Sequence, residues 1–248
     1  NLVDVDAKMH RIIELYQTSR REEAVRVARE VVREQPEMNA GRELLAFVLQ
    51  ETDRVGEAIE TLRELPSTAS KVQLALLLTE TGKPEEAIAV VQPLPADVDV
   101  LNAHGIALSE LGRNAEAVQK FERVLALDPN HAPAYQNLGI AALRANDLNA
   151  AEQHLNRALE LNPRLPLALN TLGVVYIRRG DANRAYDAWQ RAFALDRRQY
   201  DALYNMALVS AQRGDRAGAR RALEEFVKIA PAGRYAEELA RARGALAR

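Results

Sequence analysis

Residues recur at an interval of 34 along the second half of the chain, and that period constrains the fold more than any single motif. Tyr135, Leu138, Gly139, Ala151, Leu155, Ala158 and Pro163 are followed 34 places later by Leu169, Leu172, Gly173, Ala185, Trp189, Ala192 and Arg197. A unit of this size cannot bury a core alone, so copies must stack on one another. Asn146 in one copy and Gly180 in the next interrupt the apolar periodicity, and both residue types tolerate the left-handed conformation that closes a helix. Asp147 and Asp181 follow, where a carboxylate favours the start of a new helix. The predicted unit is a helix hairpin, and its repetition predicts an all-α solenoid.

Seven copies are expected, over 5–38, 39–67, 68–97, 98–131, 132–165, 166–199 and 200–233, with a terminal capping helix over 234–247. The small residues Ala24, Ala58, Ala87, Ala117, Ala151, Ala185 and Ala219 mark one place in each. The second and third copies are short, and their second helices close early at Leu65-Pro66 and Pro93-Leu94-Pro95. A lost helical turn should change how neighbours stack and alter the superhelix pitch there. Proline after Leu127-Asp, Leu161-Asn and Ile229-Ala ends three further second helices, because it cannot continue the hydrogen-bond ladder. Leu195-Asp-Arg lacks the proline, so that helix is expected to run on. Leu2, Val3 and Val5 read either as a frayed end or as the tail of a preceding segment.

The order of a large residue, Leu, Gly, Ala, a bulky residue, Ala and Pro resembles the tetratricopeptide repeat. The resemblance implies a right-handed superhelix whose first helices line a concave groove that takes a protein or an extended peptide. It also implies which positions face that groove. At the fifth place stand Asn102, Gln136, Asn170 and Tyr204, and at the sixth Asn137, Thr171 and Asn205. Amides are poor mid-helix residues and carry donors and an acceptor, so a row of them can hold a peptide backbone without reading its sequence. The alternative is that they only solvate the wall. The row is similar to the asparagine ladder of O-GlcNAc transferase, interrupted here by Ala103 and Thr171. Arg144 and Arg178 stand where Glu51, Glu80 and Glu110 stand earlier, so one groove edge is expected to be acidic early and basic late. The ninth places, Ile13, Phe47, Leu76, Ile106, Ile140, Val174 and Leu208, lack the Asn of carboxylate-clamp members. A chaperone C-terminus is not the expected partner.

Charge follows the same asymmetry. From Arg178 onward there are 15 basic and 9 acidic residues, against 18 and 26 before it. Scattered Tyr200, Tyr204 and Tyr235 do not supply the aromatic interleaving of a nucleic-acid reader, so the Arg-rich end reads as solvated helix faces and no nucleic-acid partner is expected. With no cysteine, disulfides, thiolate zinc sites and iron–sulfur clusters are excluded. No apolar run approaches the ~20 residues of a membrane span.

No catalytic or metal constellation is found: His10, His104, His131 and His154 fall in different copies. His104 takes the place of Leu138 and Leu172, and Trp189 that of Phe121 and Leu155, so both are expected in the core. The reading is a non-catalytic, cofactor-free scaffold for protein partners, with self-association through the degenerate first copy as a further expectation. The chain starts at Asn1, which suggests a mature product or a piece of something longer. Residues 4–13 also faintly resemble the junction before repeat tails of exported sulfatase-like proteins. The alternative is therefore an accessory region of a larger bacterial enzyme or assembly factor.

Overall fold

The computed structural model describes residues 2–248, apart from the side chains of residues 2 and 3. The expectation for Leu2 and Val3 therefore lies outside the described residues, while Val5 is buried. Fifteen helices are found among the described residues, in two compact units divided after Leu127. The first unit holds α1 (Leu2–Gln17), α2 (Arg21–Glu34), α3 (Asn39–Glu51), α4 (Val55–Arg63), α5 (Thr68–Glu80), α6 (Pro84–Val91), α7 (Val98–Glu110) and α8 (Asn114–Leu127). The second holds α9 (Ala132–Arg144), α10 (Leu148–Leu161), α11 (Pro166–Arg178), α12 (Ala182–Leu195), α13 (Tyr200–Gln212), α14 (Arg216–Ile229) and α15 (Ala236–Leu246).

Consecutive helices pack in antiparallel pairs from α1·α2 to α13·α14, and the tight turn inside each pair is the same chemical device. Ser19, Asp53, Gly82, Gly112, Asn146, Gly180 and Gly214 all take φ between 61° and 80°. The residue after each sends its N–H back to a carbonyl of the last helical turn, as Asp147 does to Ala142 and Asp181 to Tyr176, both at 2.9 Å. These bonds satisfy carbonyls that a helix end leaves open. The break expected at Asn146 and Gly180 is thus a left-handed helix stop, repeated in every pair.

Each unit has its own core. In the first, Ile12, Ala24, Ala28, Leu49, Leu62, Leu78 and Val91 are fully buried. In the second, Leu155, Ala185, Trp189, Ala192 and Phe226 fill the same role. Trp189 is in the core as expected, and its Nε1 donates to the Asn170 carbonyl at 3.1 Å. Gly173 makes room for it: a Cβ there would lie 2.2 Å from Trp189 Nε1. Gly139 does the same for Leu155, with a Cβ 2.6 Å from its Cγ, and Gly105 for Phe121. Close helix approach is the physical content of the repeated glycine.

The short second helices are α4, of 9 residues, and α6, of 8, against 14 for α10, α12 and α14. Where α6 stops early, α5 packs broadly on α7, a contact that the first helices α9, α11 and α13 make only sparingly. Stacking therefore changes at the shortened pair. The expected continuation past Leu195 does not occur. Asp196 accepts hydrogen bonds from the Arg198 backbone N–H at 2.9 Å and from Gln199. A carboxylate folded back onto its own turn stops the helix without proline. At the far end α15 lies on α14, with Tyr235, Leu239 and Ala242 buried.

Candidate functional surface

The first helix of each pair turns one side to its partner and one outward. In the second unit, α9, α11 and α13 lie in sequence and carry most of the residues expected in a groove. Asn137, Asn170, Tyr204 and Asn205 are half-buried, and Arg144 and Arg178 are exposed. Asn170 donates from Nδ2 to Gln199 Oε1 at 3.4 Å, while its own Oδ1 is buried without a hydrogen bond; Gln136 Oε1 is in the same state. Arg178 reaches the Leu143 carbonyl at 3.4 Å, tying the end of α11 to the end of α9. Tyr204 packs its ring on Phe226 at 5.1 Å, so its role is partly structural.

Thr171 does not belong to this surface. It is buried, and its hydroxyl donates to the Leu167 carbonyl at 2.8 Å. A threonine that bonds the carbonyl one turn back has its donor satisfied within its own helix. Asn102 stands on α7 in the first unit, half-buried.

Sequence reasoning passed over a second row. The large apolar side chains left exposed are Ile13, Phe47, Leu76, Leu127, Leu167 and Leu208, at 37–59%. Four of the six occupy the ninth place of their first helix, and the equivalents Ile106, Ile140 and Val174 are half-buried. The residues on either side of Phe47, Leu76 and Leu208, such as Ala46 and Val48 beside Phe47, are buried. The signal for this row is present in the sequence as apolar residues at one repeated place. In the first unit this side is continuous from helix to helix. Tyr16 sets its ring against Phe47 at 5.0 Å and donates to Glu51 at 3.0 Å, and Gln73 donates to Gln50 at 2.9 Å.

Among the described residues no group of three or more metal-ligating side chains converges, and no helix is long and apolar enough to cross a membrane. His131 caps α9, its Nδ1 accepting from the Ala134 N–H at 3.1 Å. His104 is half-buried, and burial, then the nearby Lys120 and Arg113, hold its pKa below the ordinary value. Burial, with Asp201 beside it, pushes the Tyr235 hydroxyl up to about 12. Each of these is accounted for by packing or capping.

These features define a class before they define a protein. Tetratricopeptide repeat profiles match residues 108–172 and 201–232, so these stretches of the chain are tetratricopeptide repeats. A tetratricopeptide repeat protein from Parabacteroides merdae superposes with a TM-score of 0.72 at 14% identity, covering 96% of this chain and 98% of that one. A chain of the APC/C hetero-tetramer Cut9-Hcn1 gives 0.72 at 17% identity, over 93% of this chain but only 48% of its own. Pseudomonas aeruginosa pilF gives 0.51 at 18% identity, with 97% and 96% covered. At such identities the likeness is one of fold, an all-helical repeat solenoid. No curated protein matches the chain by sequence.

Proposed function

We propose that this chain is a non-catalytic scaffold that binds segments of other proteins on the outward faces of its first helices. The observation that carries the reading is the recurrence of exposed apolar side chains at one place per repeat, Ile13, Phe47, Leu76 and Leu208. Scattered exposed apolar residues are ordinary, but an aligned row on a rigid surface supports recognition. The amides Asn137, Asn170 and Asn205 flank that row in the second unit, where they supply donors and acceptors for a partner's backbone. Arg144 and Arg178 at the helix ends add positive charge to the same side. The fold itself supports a protein-interaction role.

Affinity capture from an extract of the source organism tests this. The wild-type chain is set beside an Asn137→Ala/Asn205→Ala/Leu208→Ser variant of matched thermal stability. A protein held by the first and lost from the second supports binding on the first-helix face. Equal capture by both sinks it and moves the interface to the second helices or the ends.

A further inference from the structure

The first unit carries a charge pattern that narrows what its first-helix face can hold. Its 22 acidic and 15 basic residues leave it negative, and the excess is not evenly spread. Several basic residues are drawn to the second helices: Arg54 pairs with Glu22 at 2.7 Å, Arg63 with Glu86 at 2.5 Å, Arg29 with Glu57 at 2.5 Å, and Lys8 with Glu34 at 2.6 Å. The outward face of α3, α5 and α7 carries Glu43, Glu51, Glu80 and Asp99 instead, and none of these four has an ion pair among the described residues. Glu43 accepts from the Ser67 and Ser70 hydroxyls at 3.4 and 3.2 Å, and Glu51 from Tyr16. Neutral donors orient a carboxylate but leave its charge in place. Arg21 reaches the rim, donating to the Glu51 carbonyl at 3.4 Å and lying 5.6 Å over the Tyr16 ring. No other Lys or Arg occupies the places along α1, α3, α5 and α7 that match Ile13, Phe47, Leu76 and their flanking carboxylates.

We infer that the first-helix face of this unit binds a basic peptide segment that carries apolar anchor residues. The inference rests on the scaffold reading above and names the chemistry of one partner. Ile13, Phe47 and Leu76 supply apolar seats that a partner's aliphatic or aromatic side chains can cover. The unpaired carboxylates beside them attract Lys and Arg and repel acidic segments, so charge selects among partners of similar hydrophobicity. Because Glu43, Glu80 and Asp99 are open to solvent, the attraction is salt-dependent.

A random-peptide display library selected on the full chain tests this, followed by titration of the enriched peptides. Enrichment of Lys and Arg interleaved with Ile, Leu or Phe is expected. Those peptides should bind roughly tenfold more weakly to a Glu43→Gln/Glu51→Gln/Glu80→Gln variant, the sum of three exposed charge contacts. They should also weaken as salt is raised, and be lost on Phe47→Ser/Leu76→Ser. Enrichment of neutral or acidic peptides that still depend on Phe47 and Leu76 overturns the charge assignment and leaves the scaffold reading standing. Peptides indifferent to both variants, or no enrichment at all, overturn the inference. Circular dichroism and thermal midpoints of the variants separate loss of binding from loss of fold.

Discussion

The two units solve one packing problem with different residues. Where first and second helices cross, the second unit places Gly139 against Leu155 and Gly173 against Trp189 in its first two pairs, and carries Ala207 with Leu223 in its last. The equivalent places in the first unit hold Ile12 with Ala28, Ala46 with Leu62 and Ala75 with Val91, and only its last pair turns to Gly105 with Phe121. As one side shrinks the other grows, because the gap between two packed helices has a fixed volume. The start of the second helix differs as well. Asp147, Asp181 and Asp215 cap α10, α12 and α14, accepting from the N–H three residues on at 2.8–3.0 Å. Arg20, Arg54 and Lys83 stand before α2, α4 and α6 and make no such cap. The second unit therefore encodes its hairpins locally, while the first relies more on burial.

The sharpest way to break this comparison is to overfill the gap. Gly173→Ala should destabilise the chain by about 1–3 kcal/mol, since its Cβ would lie on Trp189 and threaten the indole bond to Asn170. Gly56→Ala in the first unit, where a Cβ meets nothing within 4 Å, should be neutral or slightly stabilising. The double variant Gly173→Ala/Trp189→Leu recreates the Ala46 and Leu62 combination and should recover part of the loss. Denaturant midpoints for the three variants decide it. If Gly173→Ala and Gly56→Ala cost the same, the volume exchange is not the controlling feature.

The caps make a smaller and opposite pair. Asp181→Ala should cost about 1 kcal/mol through the lost bond to the Arg184 N–H. Lys83→Asp should gain a fraction of that, because it supplies a cap to a helix that begins Pro84-Glu85-Glu86 without one. Thermal midpoints should move in opposite directions; a fall in both would show that Lys83 holds a role capping does not describe.

Much of this architecture was legible in the sequence because it is local. A 34-residue period, a left-handed residue at Asn146 or Gly180 and an Asp after it specify a hairpin without reference to anything distant. Long-range effects were less visible. Thr171 sits in register with Asn137 and Asn205, yet it is buried and bonds a carbonyl on its own helix. The proline rule missed the stop at Leu195, since an Asp folded over its own turn does the same work. The apolar row at Ile13, Phe47, Leu76 and Leu208 was written in the spacing, but whether a helix side faces a neighbour or solvent depends on packing that one helix does not record.

The smallest expected effect is a pH dependence that also separates the units. His104 on α7 stands where the second unit has Leu138 and Leu172. Burial, then Lys120 and Arg113, disfavour its charged form, so its pKa in the folded chain lies below the ordinary 6.5. The unfolded chain then binds the proton more readily. Stability from the neutral ring is present above 6.5 and is lost as pH falls through that value toward the folded one. His104→Leu removes the titrating group and gives the first unit the residue the second already uses. Its unfolding midpoint should decline less than that of the wild type on acidification from neutral pH, and the two should differ least in slope above neutrality. Parallel acid limbs would show that carboxylates elsewhere, and not this histidine, set the first unit's response to acid.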